Sequence, residues 1–207
     1  MTGHEPPRPP PASSPLRQLV VVLGDQLDDA SPALDGFDPS RDALWMAEAD
    51  GECGHVASHK ARIALFLSAM RHFRDRQAAA GRRVVYRELE SHDEPTLAAA
   101  LAADLARLRP ERVVLAKPGE WRVETQLAAA ARDAGIGFEI REDRHFFCPL
   151  PDFERWASGR RELRLEHFYR WMRRRSGLLM DGDDPAGGAW NFDAANRGHF
   201  GRAGPGE

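Results

Sequence analysis

Carboxylates recur in three short segments of this 207-residue chain. They are Asp25 in Gly24-Asp25-Gln26-Leu27, Glu48 and Glu52 in EADGE, and Glu120 beside Trp121 in KPGEWR, residues 117–122. Carboxylates, an amide (Gln26) and an indole (Trp121) suit the hydroxyls and ring N–H donors of a flat polar heterocycle. No G-x-G-x-x-G and no G-x-x-x-x-G-K-[ST] is present, so neither a dinucleotide turn nor a phosphate-cradling loop is available, and phosphate is not the expected ligand. Taken singly, Asp25 and Glu120 read as helix caps and Trp121 as a packing residue; as a group they read as a binding site.

No catalytic constellation accompanies them. His55 and His59 stand four apart, as a metal pair on one helix face would, but there is no H-E-x-x-H and no third ligand, so the pair reads as structural and no metal site is expected. Cys53 and Cys148 lack C-x-x-C partners. Two thiols are too few for a disulfide framework or a four-thiolate cluster, which fits a reducing, cytoplasmic setting.

The three segments need elements that bring them together. Leu19 to Leu23 (LVVVL) is a β-branched run ended by Gly24, the pattern of a strand buried on both faces and hence of a parallel sheet. Ala43 to Ala47 is a second strand. Between Gly54 and Gly81, Ile63, Phe66, Leu67, Met70 and Phe73 recur at helical spacing. The alternation continues with strand Val84–Tyr86, helix Thr96–Leu108, strand Arg112–Leu115, helix Trp121–Ala134 and strand Gly137–Ile140. Residues 18–145 are therefore expected to be α/β: a doubly wound (Rossmann-like) parallel five-stranded sheet. In such sheets ligands bind outside the carboxyl ends of the strands, where strand order reverses. The three segments follow the first, second and fourth strands. If the first strand is central, the loops after strands one and four face each other across the crevice.

The remainder is different in kind. Residues 1–17 are proline-rich, without the basic and apolar regions of a signal peptide, and are expected to be a disordered leader. No stretch is apolar enough for a membrane span. Residues 146–180 form a short helical C-terminal extension, a short helix around Phe153 and Trp156 followed by one with Leu165, Phe168, Tyr169 and Met172 on a stripe. Between Glu154 and Arg175 lie eight Arg and three Glu. Arg173, Arg174 and Arg175 fall in the last turn, where the helix dipole favours cations. Overall the chain has 29 basic and 32 acidic residues, a formal charge of −3, which gives no general grip on nucleic acid.

These motifs together carry a resemblance. LGDQL, HKARIALFLSAMRHF, PGEWRV, DRHFFC, RWASGRRELRLEHFYRWMRRRSGLLM and GGAWNFDAANR, in order between Leu19 and Arg197, resemble the N-terminal part of photolyase-related proteins. The nearest group in character is the bacterial cryptochromes and (6-4) photolyases that carry an iron–sulfur cluster. The resemblance implies light-driven DNA repair or light sensing. An N-terminal antenna domain would hold 6,7-dimethyl-8-ribityllumazine, and a larger helical domain would hold FAD, a 4Fe-4S cluster and the DNA lesion pocket. It implies antenna contacts from Gly24, Asp25, Gln26, Leu27, Glu48 and Glu52, with Glu52 the better candidate for a direct hydrogen bond. Lys117 departs from the pattern, which tends to an acidic residue there.

The tail, residues 181–207, is expected to be irregular. It ceases to resemble the family after Arg197, so a truncation is expected there and Trp190 is expected to be exposed or loosely held. No FAD or cluster site is expected in this chain, and autonomous photorepair is not expected of it. Its expected partner is a separate FAD-binding catalytic half, with DNA binding weak or absent and no membrane. Two other readings stand beside this one: a nucleotide-binding α/β enzyme, and a non-catalytic module whose Arg face docks DNA or a partner.

Overall fold

The computed structural model describes residues 16–54 and 57–193, with residues 202 and 204. Five strands, β1 (Gln18–Val21), β2 (Asp42–Ala47), β3 (Val84–Arg87), β4 (Arg112–Ala116) and β5 (Gly137–Arg141), form one parallel sheet in the order β3-β2-β1-β4-β5. β1 is central, with Val20 opposite Leu44 on one side and Val114 on the other. This is the doubly wound arrangement expected of the strand-helix alternation.

Period-2 side-chain alternation divides the core. Leu19, Val21, Trp45, Val113 and Leu115 point to one face, where α3 (Leu97–Leu108) and α4 (Trp121–Asp133) cover them with Leu101, Leu105 and Leu127. Val20, Val22, Leu44, Met46 and Val114 point to the other. There Met70 and Phe73 of α2 (Lys60–Ala79) and the 3-10 turn Pro32–Leu34 close over them. Each fully buried aliphatic or aromatic side chain contributes roughly 1.5–3 kcal/mol relative to exposure.

Buried polar groups are paired. Trp45 Nε1 donates to Asp104 at 2.8 Å, and Asp104 also accepts from Arg87 Nε at 2.6 Å and Arg107 at 2.7 Å. Burial alone would raise the Asp104 carboxyl, but these donors hold it below the usual range.

Several boundaries move; the first strand ends at Val21, two residues short of Leu23. The long helix begins at Lys60 and is preceded by the short α1 (Asp50–Gly54). His59 caps α2 by accepting from the Ala61 amide at 3.1 Å, which gives it a structural role; His55 lies outside the described residues. Of the expected leader, residues 1–15 lie outside the described residues, while Leu16 and Arg17 belong to the domain. Leu16 is buried and its carbonyl accepts from Glu111, and Arg17 pairs with buried Asp42. A proline-rich composition says nothing about which of its last residues reaches a buried partner.

Residues from Phe146 onward form a second compact unit. α5 (Leu150–Ala157) and α6 (Leu165–Ser176) pack through Phe153, Trp156, Phe168 and Trp171, with Trp156 and Phe168 edge-to-face at 4.9 Å. A two-residue antiparallel pair, β6 (Met180–Asp181) with β7 (Asp184–Pro185), follows the Gly177 cap of α6. The expected stripe is only partly used, since Leu165 and Tyr169 are exposed and Trp171 joins Phe168 instead. The arginines of the last turn have specific partners as well as the dipole. Arg175 pairs with buried Asp152 and stacks on Trp171, and Arg173 is buried with its guanidinium on the Leu179 carbonyl.

Candidate functional site

At the carboxyl end of the central strand, chain order reverses: β2 and β3 lie to one side of β1 and β4 and β5 to the other. The loops after β1 and β4 meet there. Gln26 Nε2 donates to the Lys117 backbone carbonyl at 2.8 Å, while Gln26 Oε1 is buried without a hydrogen-bond partner. Beside this bridge opens a cavity of about 380 Å³. Ile63, Phe66, Leu67 and Met70 of α2 line it together with Leu23 and Val123, and Asp25, Glu52, Glu120, Arg62 and Arg122 add charged groups to the lining.

The helical stripe of α2 thus has two uses. Its C-terminal part, Met70 and Phe73, is buried in the core, whereas Phe66, 43% exposed, faces the cavity. Gly24 sets the distance between strand and helix. A Cβ there would stand 2.5 Å from Phe66 Cζ and 2.8 Å from Met70 Sδ, so only glycine leaves both side chains where they are.

The two glutamates of the β2 loop differ sharply. Glu48 reaches the cavity wall, but its buried carboxylate is engaged within the protein. It accepts from Arg71 Nε at 2.7 Å and Nη2 at 2.8 Å, from the Tyr86 hydroxyl at 2.6 Å and from the Leu89 amide at 2.9 Å. Its carbonyl accepts from His92 Nε2 at 2.8 Å. Burial pushes this carboxyl up; the Arg71, Tyr86 and Leu89 hydrogen bonds and the Arg71 charge outweigh it and bring it to about 2. Burial, then its bond to Glu48, raises the Tyr86 phenol. Glu48 therefore ties β2 to α2 and β3.

Glu52 is half-buried at the rim and holds Arg122 bidentately, at 3.1 and 2.8 Å. Arg122 Nε also donates to Glu120 at 2.7 Å. This clamp joins α1 to the start of α4 across the cavity, and the hydrogen bonds to Glu52 and Glu120 raise the Arg122 guanidinium further.

The remaining candidates divide. Asp25 is exposed and lines the cavity. Gln26 borders it as the loop bridge, and Leu27 packs against the core on the α2 side. Trp121 is 78% exposed and absent from the lining, so neither the binding nor the packing reading describes it. Glu120 begins α4 without a side-chain capping bond. Lys117 Nζ pairs with Glu124 at 2.7 Å, along α4. Sequence pattern does not single out Arg122, because its partner Glu52 is 70 residues away and only the placement of the helices joins them.

Among the described residues no group of three or more His, Cys, Asp or Glu is placed to hold a metal ion, and no helix is long and apolar enough to cross a membrane. With two thiols, the chain does not fit a four-iron cluster.

A doubly wound sheet with a cavity at its switch point, lined by both apolar and charged side chains, defines an α/β domain with a candidate ligand site. The family of deoxyribodipyrimidine photo-lyase-related proteins matches residues 20–205, and the chain belongs to it. It is similar to a (6-4) photolyase of Agrobacterium fabrum (strain C58), with 42% identity over 186 residues, covering 88% of this chain and 36% of the relative. The chain thus spans little more than a third of that relative's length, 36%.

Proposed function

We propose that residues 18–145 bind a ribityllumazine-type antenna chromophore and form the light-collecting part of a photolyase-type protein. The observation that carries this is the cavity at the switch point, lined by both apolar and acidic side chains. A planar ring lies against Phe66, Leu67 and Met70, while its polar edge and hydroxylated chain meet acceptors on Asp25 and Glu52. The volume, about 380 Å³, falls in the range of small-molecule pockets. Family membership and similarity to a (6-4) photolyase support the reading. When bound, such a group absorbs light and passes excitation to a reduced flavin; a FAD-binding part, the proposed partner, would use it on damaged DNA.

The residues of the chain act by positioning. Gly24 keeps the apolar wall open, Gln26 locks the β1 loop to the β4 loop, and Arg122 orients Glu52 by gripping both of its oxygens, each of which retains a free lone pair. Glu48 stiffens the base of the site. Parallel titrations of 6,7-dimethyl-8-ribityllumazine, ATP and NAD test the reading. Saturable binding of the lumazine alone supports it; saturable binding of ATP or NAD without the lumazine contradicts it and favours a nucleotide-using enzyme.

A further inference from the structure

The connection from β3 to α3, residues 88–96, is fastened to the loop after β2 at three points. Leu89 N donates to the Glu48 carboxylate at 2.9 Å, His92 Nε2 lies 2.8 Å from the Glu48 carbonyl oxygen, and Gly51 N donates to the Pro95 carbonyl at 2.9 Å. The last contact is close. A Cβ on Gly51 would stand 2.6 Å from the Pro95 oxygen, so the α1 turn reaches the connection only because that residue is glycine. The same turn carries Glu52, which holds Arg122 at the cavity. How firmly residues 88–96 hold residues 48–51 therefore governs where Glu52 stands.

One fastening contains a titratable ring. The His92 side chain is only 3% exposed and lies between two oxygens. A carbonyl oxygen can only accept, so Nε2 carries a hydrogen. In the neutral ring the other nitrogen, Nδ1, is then a bare lone pair, and it faces Glu94 Oε2 at 3.0 Å. The two are not aligned as a hydrogen bond, and buried Nδ1 has no other partner. Two acceptors repel at that distance, whereas a proton on Nδ1 makes them an ion pair.

The surrounding charges leave that place to a proton. From β3, Arg87 reaches Glu94 at 3.3 Å, but it is held more closely by buried Asp104 of α3, at 2.6 Å. From β2, the Glu48 carboxylate is engaged by Arg71 and Tyr86. Within the connection Glu88 pairs with Arg74 of α2, while Glu90 and Asp93 are exposed, as is Asp50 of α1. Glu94 is thus the carboxylate facing the ring, and it is only partly offset.

We infer that His92 is a proton-operated latch on the loop that carries Glu52. With Nδ1 protonated, the ring holds Glu94 and the Glu48 carbonyl together and seats the α1 turn; without that proton, the turn separates from residues 88–96. Imidazole changes charge between about pH 5 and 8. The protonated form is the closed one, so closure is favoured at the acid end of that range and lost as pH rises. His92 is a positioning residue. The inference goes beyond the chromophore reading and holds whichever ligand the cavity takes.

Amide hydrogen exchange on the full chain without ligand, read by NMR and corrected for the intrinsic pH dependence of exchange, tests it. From about pH 6 to about pH 8 the protection of the Gly51 amide should fall roughly two- to fivefold, the worth of one partly exposed ion pair, against a steady Val20 amide in β1. His92→Gln keeps a donor for the Glu48 carbonyl and cannot titrate, so its Gly51 protection should not change with pH. Glu94→Gln leaves the ring in place and should shrink the response as well, which keeps the test decisive if His92→Gln fails to fold. Wild-type Gly51 protection that is the same at both pH values would overturn the inference. So would a fall that persists undiminished in Glu94→Gln or His92→Gln, which would assign it to another group. Neither result touches the chromophore reading, because no ligand is present.

Discussion

The Gln26 side-chain amide donates to the Lys117 backbone carbonyl at 2.8 Å, a bond that closes 91 residues of chain. It is the point at which the two halves of the parallel sheet are joined above their strands, and it borders the cavity. Gln26→Leu keeps the size of the side chain and removes the donor. The expected loss is about 1 kcal/mol of stability, the net worth of one such bond, with a several-fold weaker lumazine affinity. Thermal unfolding and a fluorescence titration of the variant measure both.

Gly24 lies against the tips of Phe66 and Met70, which are side-chain ends and can move. Gly24→Ala is therefore expected to leave stability within about 1 kcal/mol, because the added methyl displaces side chains and not backbone. The displaced Phe66 ring moves within the cavity it lines, so ligand affinity should fall by about tenfold or more. A variant that binds normally would show that Phe66 does not form the wall.

Glu48 gives the domain an acid-sensitive joint. Its carboxyl is depressed from 4.5 to about 2 in the folded protein. The stability it contributes is fully present above pH 4.5 and is lost as pH falls through 4.5 toward 2. The shift corresponds to about 2–3 kcal/mol once the partly exposed Arg71 is discounted for solvent screening. Urea denaturation of the wild-type chain between pH 6 and pH 3 should show this loss. Glu48→Gln should be less stable at pH 7 and show a flatter pH dependence.

Much of the scaffold could be read from local pattern. Leu19 to Val21 of LVVVL lie in a strand buried on both faces because it is the central one, with Val22 and Leu23 buried just beyond its end, and the Gly24, Glu48 and Pro118 loops face one another because the switch point lies beside it. What could not be read was the engagement of side chains by distant partners. Glu48 and Glu52 look alike in EADGE, yet one is fixed by Arg71 and Tyr86 and the other by Arg122, 70 residues on. Ile63 and Phe66 have the spacing of core residues, and periodicity does not distinguish a core from a cavity wall. The sequence predicts Trp190 to be exposed or loosely held. It is half-buried, with the guanidiniums of Arg170, Arg173 and Arg174 at 5.7, 5.2 and 4.8 Å from its ring centroid, while Phe192 beside it is 65% exposed. An arginine run that the helix dipole favours also has a stacking partner within its own unit.

The central claim is that the switch-point cavity holds a lumazine. The most direct measurement adds the purified chain to 6,7-dimethyl-8-ribityllumazine and follows its absorption and fluorescence anisotropy. The account predicts a shifted absorption band and an anisotropy that rises to a plateau at one ligand per chain, with both changes weakened in Gly24→Ala. Absorption and anisotropy that stay at the free-ligand values up to about 100 μM protein, where even a modest affinity would register, would contradict it.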